Sequence, residues 1–138
     1  MRKTITAIAL AALAASTAFP VGAASAKQTV AEKGEARLAK LLEGRTAGAP
    51  VTCISAMNSN SLQVIDETAV VYDGGKTIYV ARPTDPRQLG RNDVLVIQRT
   101  SGSQLCSNDI LYTVDQGTGF RTGVVFLKEF VPYTKTGG

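Results

Sequence analysis

The residues of this sequence with the most definite chemistry are its two cysteines, Cys53 and Cys106. The chain contains no histidine, so a catalytic thiolate would lack an imidazole base, and two sulfurs alone do not complete a four-ligand zinc site. In an oxidising compartment the pair is expected to form one intramolecular disulfide. That bond would close a loop of about 54 residues and stabilise the fold by about 4 kcal/mol on the chain-entropy model. An intermolecular bridge and free thiols are the alternatives.

Three arginines, Arg82, Arg87 and Arg91, form a second group with a definite chemistry. They surround Asp85 in a segment that also holds two prolines, and a stiff loop presents bidentate guanidinium donors at little entropic cost. The segment is therefore a candidate anion-binding loop for carboxylates or phosphates, as on an anionic glycan or lipopolysaccharide. The simpler interpretation is a solvated connection in which Arg82 pairs with Asp85, because surface charges usually serve solubility.

The other polar residues give little support to catalysis. The eleven carboxylates are dispersed, no tryptophan is available to stack on a sugar, and the sequence has no calcium loop, phosphate loop or nucleophile elbow. We expect no cofactor and no metal. The favoured function is a non-enzymatic exported module that binds a protein or an anionic envelope component. The alternatives are a small enzyme using Asp, Lys or Tyr chemistry and a purely structural envelope protein.

Residues 1–26 have the three parts of a secretory signal peptide. Arg2 and Lys3 are followed by an apolar run over residues 5–19 and by the small-residue triplet at 24–26. Cleavage is expected after Ala26, so that the mature chain begins at Lys27 in the periplasm or outside the cell. A membrane anchor or a buried core helix is the alternative, and the absence of a cysteine near the cut argues against a lipoprotein.

The mature chain, residues 27–138, is expected to be one small domain stapled by the disulfide. It keeps thirteen of the fifteen basic residues and all eleven acidic ones, so its net charge falls from +4 to +2. Because these charges are dispersed, binding to nucleic acid or to an anionic membrane surface is not favoured. We expect no membrane span after cleavage and a monomer in solution.

The elements that must position these side chains begin with an amphipathic helix over residues 28–43. Ala31, Leu38 and Leu42 recur at helical spacing, Thr29 is placed to cap the start, and Gly44 follows where a helix commonly ends. The pattern favours a helix that covers one side of a core, since its apolar face is small and lacks the aromatic anchors of a membrane-surface helix.

After residue 50 the apolar periodicity changes to two, and strands recur too closely for crossover helices. The clearest element is a hairpin over residues 68–81, with Asp73, Gly74 and Gly75 in its turn. Further strands are expected in the segments 51–53, 62–65, 94–99, 105–106, 110–114 and 123–131, the last of these as one strand or a pair. The predicted fold is mainly β (α+β): an antiparallel meander or small barrel of six to seven strands with one N-terminal amphipathic helix.

Six segments, residues 53–55, 65–69, 78–83, 92–96, 103–107 and 129–133, carry a family resemblance. In this order they resemble parts of small signal-peptide-bearing proteins of unknown function from sphingomonad-type alphaproteobacteria. The resemblance implies a periplasmic or secreted location in a Gram-negative bacterium and two paired cysteines. It supplies no catalytic residue, because those proteins carry no established activity.

Overall fold

The computed structural model describes residues 27–99 and 102–137, so the predicted leader at residues 1–26 lies outside the described residues. Within them the chain forms one α-helix and ten β-strands. These are α1 (Val30–Leu41), β1 (Arg45–Ala47), β2 (Cys53–Ser55), β3 (Leu62–Ile65), β4 (Ala69–Asp73), β5 (Thr77–Ala81), β6 (Asp93–Gln98), β7 (Gln104–Cys106), β8 (Ile110–Asp115), β9 (Arg121–Val125) and β10 (Val131–Lys135). The mainly β class and the N-terminal helix are confirmed.

A reciprocal pair of hydrogen bonds fixes the start of α1. The Glu32 backbone N–H donates to Thr29 Oγ1 at 3.2 Å, and the Thr29 N–H donates to Glu32 Oε2 at 2.7 Å. This capping box satisfies two of the donors that a helix leaves unpaired at its N-terminus. Gly44 follows the helix with φ of 70°, a left-handed conformation that suits glycine. Thr29 is the N-cap, as predicted, and the helix spans residues 30–41, two residues fewer at each end than the predicted 28–43.

The predicted hairpin is β4 and β5, paired from Val70 opposite Ala81 to Asp73 opposite Ile78. In its turn the Asp73 carboxylate accepts the Gly75 backbone N–H at 2.8 Å, and Gly75 has φ of 83°. The turn therefore needs both a short acceptor side chain and a glycine, and these two residue types made it predictable from the sequence.

The strands form three antiparallel hydrogen-bonded sheets. The larger sheet has the order β1-β10-β5-β4-β3, the smaller sheet the order β6-β8-β9, and β2 with β7 forms a two-stranded ribbon. The predicted number of six to seven strands is wrong. Among the described strands only β3, β4 and β5 form a consecutive meander, so the predicted single meander or barrel is also wrong. There are ten strands because residues 45–47 also pair with β10, because the C-terminal segment divides into β9 and β10, and because β2 and β7 form a ribbon separate from both larger sheets.

The larger sheet is covered on both faces. One face, with Val70 and Tyr72, packs toward the smaller sheet and the ribbon through Leu111 and Leu105. The opposite face packs against α1 through Leu38, and it carries Ile65, Ala69, Val71, Ile78 and Val80. Consequently four successive residues of β4, 69–72, are all buried, as expected for a strand with a layer on each side.

The smaller sheet is covered on one face only. Its inner side contributes Leu111 and Val125 to the core, with Leu95 and Ile97 packed against them. By the alternation of a β-strand, the intervening residues lie on the other side. We call this side the outer face; its members are Val94, Val96, Ile110, Tyr112, Val114, Arg121 and Val124. Ile110 is 55% exposed there, and the Arg121 guanidinium lies over the Tyr112 ring, 3.8 Å from its centroid.

The segment between β9 and β10 joins the two layers. Pro83, just beyond β5, bridges to Leu127, and the Thr84 N–H donates to the Phe126 carbonyl oxygen at 2.8 Å. Phe130, next to β10, bridges to Val51 and is fully buried. This connection places the arginine segment at one end of the larger sheet, beside α1.

Candidate functional site

The two cysteines lie directly opposite each other on β2 and β7 and form the predicted disulfide. The Ser107 N–H donates to the Thr52 carbonyl at 2.8 Å, so the neighbouring Cys53–Cys106 pair is a non-hydrogen-bonded pair, with a Cα separation of 4.0 Å. The Asp109 carboxylate accepts the Cys106 N–H at 2.8 Å. Neither cysteine is free, which removes a thiol nucleophile from the candidate chemistry.

Arg82 forms a bidentate ion pair with Glu35 of α1. Both guanidinium Nη atoms donate to the carboxylate, with Nη2 2.9 Å from Oε2. This hydrogen bonding lowers the pKa of Glu35, against the opposing effect of burial, and raises the pKa of Arg82. The predicted Arg82–Asp85 pairing is wrong, because the fold brings a helix residue far away in sequence to the guanidinium.

Asp85 pairs instead with Arg87, two residues away. Arg87 Nε and Nη2 donate to the two carboxylate oxygens at 3.0 and 2.9 Å, and the Arg87 backbone N–H donates to Asp85 Oδ1 at 3.1 Å. These bonds lower the pKa of Asp85. Since both side chains are well exposed, the pair orders the loop and contributes little stability.

Arg91 is the arginine of the predicted loop that keeps its donors available. Its Nε lies 3.8 Å from Asp66 Oδ2, which is longer than a hydrogen bond. Arg91 lines a cavity of about 180 Å³ between α1 and the β3–β4 turn. The loop therefore does not act as one unit: Arg82 and Arg87 are held by carboxylates, and Arg91 belongs to a separate site.

We call this cavity the basic pocket. Its lining consists of Val30, Lys33, Gly34, Arg37, Ile65, Asp66 and Arg91. Three cations thus face one carboxylate. Lys33 and Arg37 are four residues apart and so share one face of α1, where the Arg37 guanidinium reaches Gln63 of β3 at 3.5 Å.

The sequence analysis did not single out Lys33 and Arg37. Their spacing on a predicted helix was a usable signal for a basic helical face. The sequence did not show which part of the chain packs against that face of α1. Arg91, which lies between β5 and β6, reaches the same cavity only through the fold.

Gly34 determines how closely α1 approaches the β3–β4 turn. A Cβ at this position would overlap Thr68 Oγ1 and would lie 2.8 Å from the Asp66 carbonyl oxygen. The Thr68 hydroxyl is itself fixed, donating to that carbonyl at 2.9 Å. The missing side chain lets helix and turn touch, and this contact forms the floor of the basic pocket.

A second cavity, of about 130 Å³, is lined by Val80, Arg82, Lys128, Glu129, Val131 and Tyr133. Its arginine is already paired with Glu35, so its accessible charges are one lysine and one glutamate. Within residues 27–99 and 102–137 no cluster of three or more Cys, Asp or Glu residues is arranged to hold a metal ion. The basic pocket is thus the better candidate for a ligand.

None of the protein-family models, curated proteins or solved structures compared with this chain matches it. The function of this chain therefore has to follow from the chemistry of its site. In the part of the chain that the structure describes, no helix is long and apolar enough to cross a membrane.

Proposed function

We propose that this protein is a small exported module that binds an anionic envelope component in its basic pocket without transforming it. The observation that carries the proposal is the meeting of Lys33, Arg37 and Arg91 around one cavity with a single carboxylate, Asp66. A cavity with this excess of positive charge attracts a negatively charged group.

The geometry of the pocket favours the acidic group of a larger ligand. About 180 Å³ is less than the volume of a pocket that encloses a drug-sized molecule, so one carboxylate, sulfate or phosphate group fits while the rest of the ligand stays outside. Two of the three cations are arginines, whose planar donors match such groups bidentately. Asp66 would release Arg91 readily, because their 3.8 Å contact is loose.

Export is supported by three features that are independent of the pocket. The tripartite pattern of residues 1–26, and the resemblance to signal-peptide-bearing sphingomonad-type proteins, point to a Gram-negative periplasmic or secreted protein. The Cys53–Cys106 disulfide is consistent with an oxidising compartment. N-terminal sequencing of protein from the native host should find Lys27 first. Recovery of the full-length chain from the cytoplasm alone would contradict the proposal.

The binding proposal can be tested with polygalacturonate, a glycan whose acidic groups are carboxylates, and the purified mature chain. Neutralising the pocket with Lys33→Gln, Arg37→Gln and Arg91→Gln should weaken binding at least tenfold, roughly the loss of one strong charged contact. Wild-type binding should weaken as salt is added, because exposed charges are screened.

A matched control removes the same charge elsewhere, with Lys40→Gln, Lys76→Gln and Lys128→Gln on exposed positions outside the pocket. This variant should bind within about twofold of the wild type, as expected when net charge alone is not the determinant. An equal loss in both triple variants would show that binding is diffuse and would refute the pocket as its site.

A further inference from the structure

Among the described residues, strand β6 is an unpaired edge of the smaller sheet. It is six residues long, its register with β8 is unbroken, and it contains neither lysine nor proline. The other sheet edges are blunted: β1 and β3 have three and four residues, and the pairing of β9 with β8 is interrupted by a bulge. Long, flat, apolar edges invite pairing with another chain, and proteins normally avoid leaving them open.

The hydrogen bonds at the start of β6 show which of its backbone groups face outward. The Gln116 N–H donates to the Asn92 carbonyl at 3.1 Å, which makes Asn92 and Gln116 a hydrogen-bonded pair. Since such pairs alternate along antiparallel strands, Val94, Val96 and Gln98 bond to β8. The N–H and C=O groups of Leu95 and Ile97 therefore point away from the sheet, and no described strand pairs with them.

We propose that β6 pairs antiparallel with β6 of a second copy of this chain, with the two-fold axis at Val96. This register places Leu95 opposite the partner's Ile97, so the outward backbone groups on the two strands exchange hydrogen bonds. The two smaller sheets join into one sheet of six strands. The contact is isologous and closes at two copies, in contrast to the monomer expected from the sequence.

Charge complementarity selects the second copy as the occupant. In the same register Asp93 lies opposite the partner's Arg99, and this pair occurs twice by symmetry. Both side chains are already oriented: Asp93 Oδ1 accepts the Thr122 hydroxyl at 3.1 Å, and Arg99 Nη1 donates to the Ala56 carbonyl at 2.7 Å. Each retains further hydrogen-bonding capacity, Asp93 at Oδ2 and Arg99 at its other guanidinium N–H groups. Opposite charges directly across two strands stabilise the pairing.

A cysteine trap tests the register. At the axis, Val96 forms a non-hydrogen-bonded pair with its own copy, the same arrangement that holds the native Cys53–Cys106 bond. The mature Val96→Cys protein should therefore form a covalent dimer on oxidation, seen by intact mass, with the native disulfide verified by peptide mapping. The Val114→Cys control changes the same residue type on the same outer face, one strand inward, and should form no covalent dimer. Equal cross-linking of both variants would overturn the proposal.

Sedimentation velocity over a concentration series tests the association itself. The wild type should show a monomer–dimer equilibrium, and Val96→Lys should weaken it at least tenfold by placing two ammonium groups at the axis. Val114→Lys should change it less than about twofold, because β8 is an inner strand. Asp93→Arg should weaken the dimer, and adding Arg99→Asp should restore it. A wild type that stays monomeric throughout, or a charge exchange that restores nothing, refutes the pairing.

Discussion

The larger sheet is covered on both faces, whereas the smaller sheet is covered on one. In β4 every residue from Ala69 to Tyr72 is buried between α1 and the second β-layer. Strand β6 has an equally continuous apolar run, Val94–Ile97, yet Val94 is 45% exposed on the outer face. The same local pattern therefore accompanies two different environments: β4 is an inner strand covered by α1, and β6 is an edge strand without a helix over its outer face.

The two regions therefore offer different surfaces for recognition. The layers around the larger sheet hold the core and build the basic pocket, at the contact between α1 and the β3–β4 turn. The smaller sheet leaves apolar surface and an open edge available to another chain. Four substitutions or treatments test how far the two regions differ.

The largest expected effect is at Phe130, which is fully buried where the two layers meet. Phe130→Ala should lower the free energy of unfolding by roughly 3–5 kcal/mol, through lost burial and the cavity left behind. Phe126→Ala is the matched control, since Phe126 is 63% exposed beside the outer face and should cost no more than about 0.5 kcal/mol. Urea denaturation measures both. Similar losses at the two positions would mean that the outer face is covered.

The second-largest loss of stability is expected on removal of the disulfide, because this bond links a segment next to the larger sheet to a segment next to the smaller one. Along the chain, β2 follows β1 of the larger sheet, and β7 falls between β6 and β8 of the smaller one. Cys53→Ala with Cys106→Ala should destabilise the fold by up to about 4 kcal/mol on the chain-entropy model. At roughly 4 °C or more per kcal/mol, the thermal midpoint falls markedly.

Reduced wild-type protein should match that double variant. Cys53→Ala alone should in addition form covalent dimers through the unpaired Cys106. Titration of two free thiols in oxidised periplasmic protein would contradict the disulfide.

A side chain added where α1 contacts the β3–β4 turn should lower the stability less than loss of the disulfide does. Gly34→Ala places a Cβ against Thr68 Oγ1 and the Asp66 carbonyl, so α1 must move away from the larger sheet. We expect a loss of about 1–3 kcal/mol in unfolding free energy, with weaker polygalacturonate binding because the pocket floor shifts. Ala39→Ser, at an exposed position of α1, serves as the control. Unchanged or increased stability in Gly34→Ala would show that the contact is loose.

The smallest effect concerns the ion pair that links α1 to the end of β5. Arg82 lowers the pKa of Glu35, so the folded state holds the Glu35 proton less tightly than the unfolded state. The pair's contribution is therefore complete above the ordinary glutamate pKa and is lost as the pH falls through the lowered pKa of Glu35. Because both side chains are about half exposed, we expect less than about 1 kcal/mol.

Glu35→Gln should flatten that part of the stability–pH curve. Glu43→Gln, which removes the charge of a glutamate without an ion pair in the described residues, is the matched control. If the curves for Glu35→Gln and the wild type coincide, the pair contributes nothing to stability.

Local signals were sufficient for several elements. Thr29 as a capping residue predicted the helix start, and Asp73 with two glycines predicted the hairpin turn, because each depends on contacts within a few residues. Strand β1 was missed for the opposite reason. Arg45–Ala47 has no apolar alternation, and it becomes a strand by pairing with β10 at the other end of the chain.

In the candidate site, too, the features set by a simple local rule were predictable and those set by long-range packing were not. The disulfide was predictable because two cysteines allow one intramolecular pairing. The partners of the arginines were not, since Arg82 is held by a residue of α1 and Arg91 meets Lys33 and Arg37 only after the helix packs on the sheet. Such long-range neighbours leave no trace in spacing or composition.

The strand made last is an interior strand of the larger sheet, since β10 lies between β1 and β5. Until residues 131–135 have been synthesised, β1 has no neighbour and β5 keeps an open edge. The sheet therefore cannot be completed while the chain is being translated, and joining strands so far apart in sequence makes folding slow. A nascent chain of this kind stays incompletely folded until its last strand has been made, which is the state that the proposed export of an unfolded chain requires.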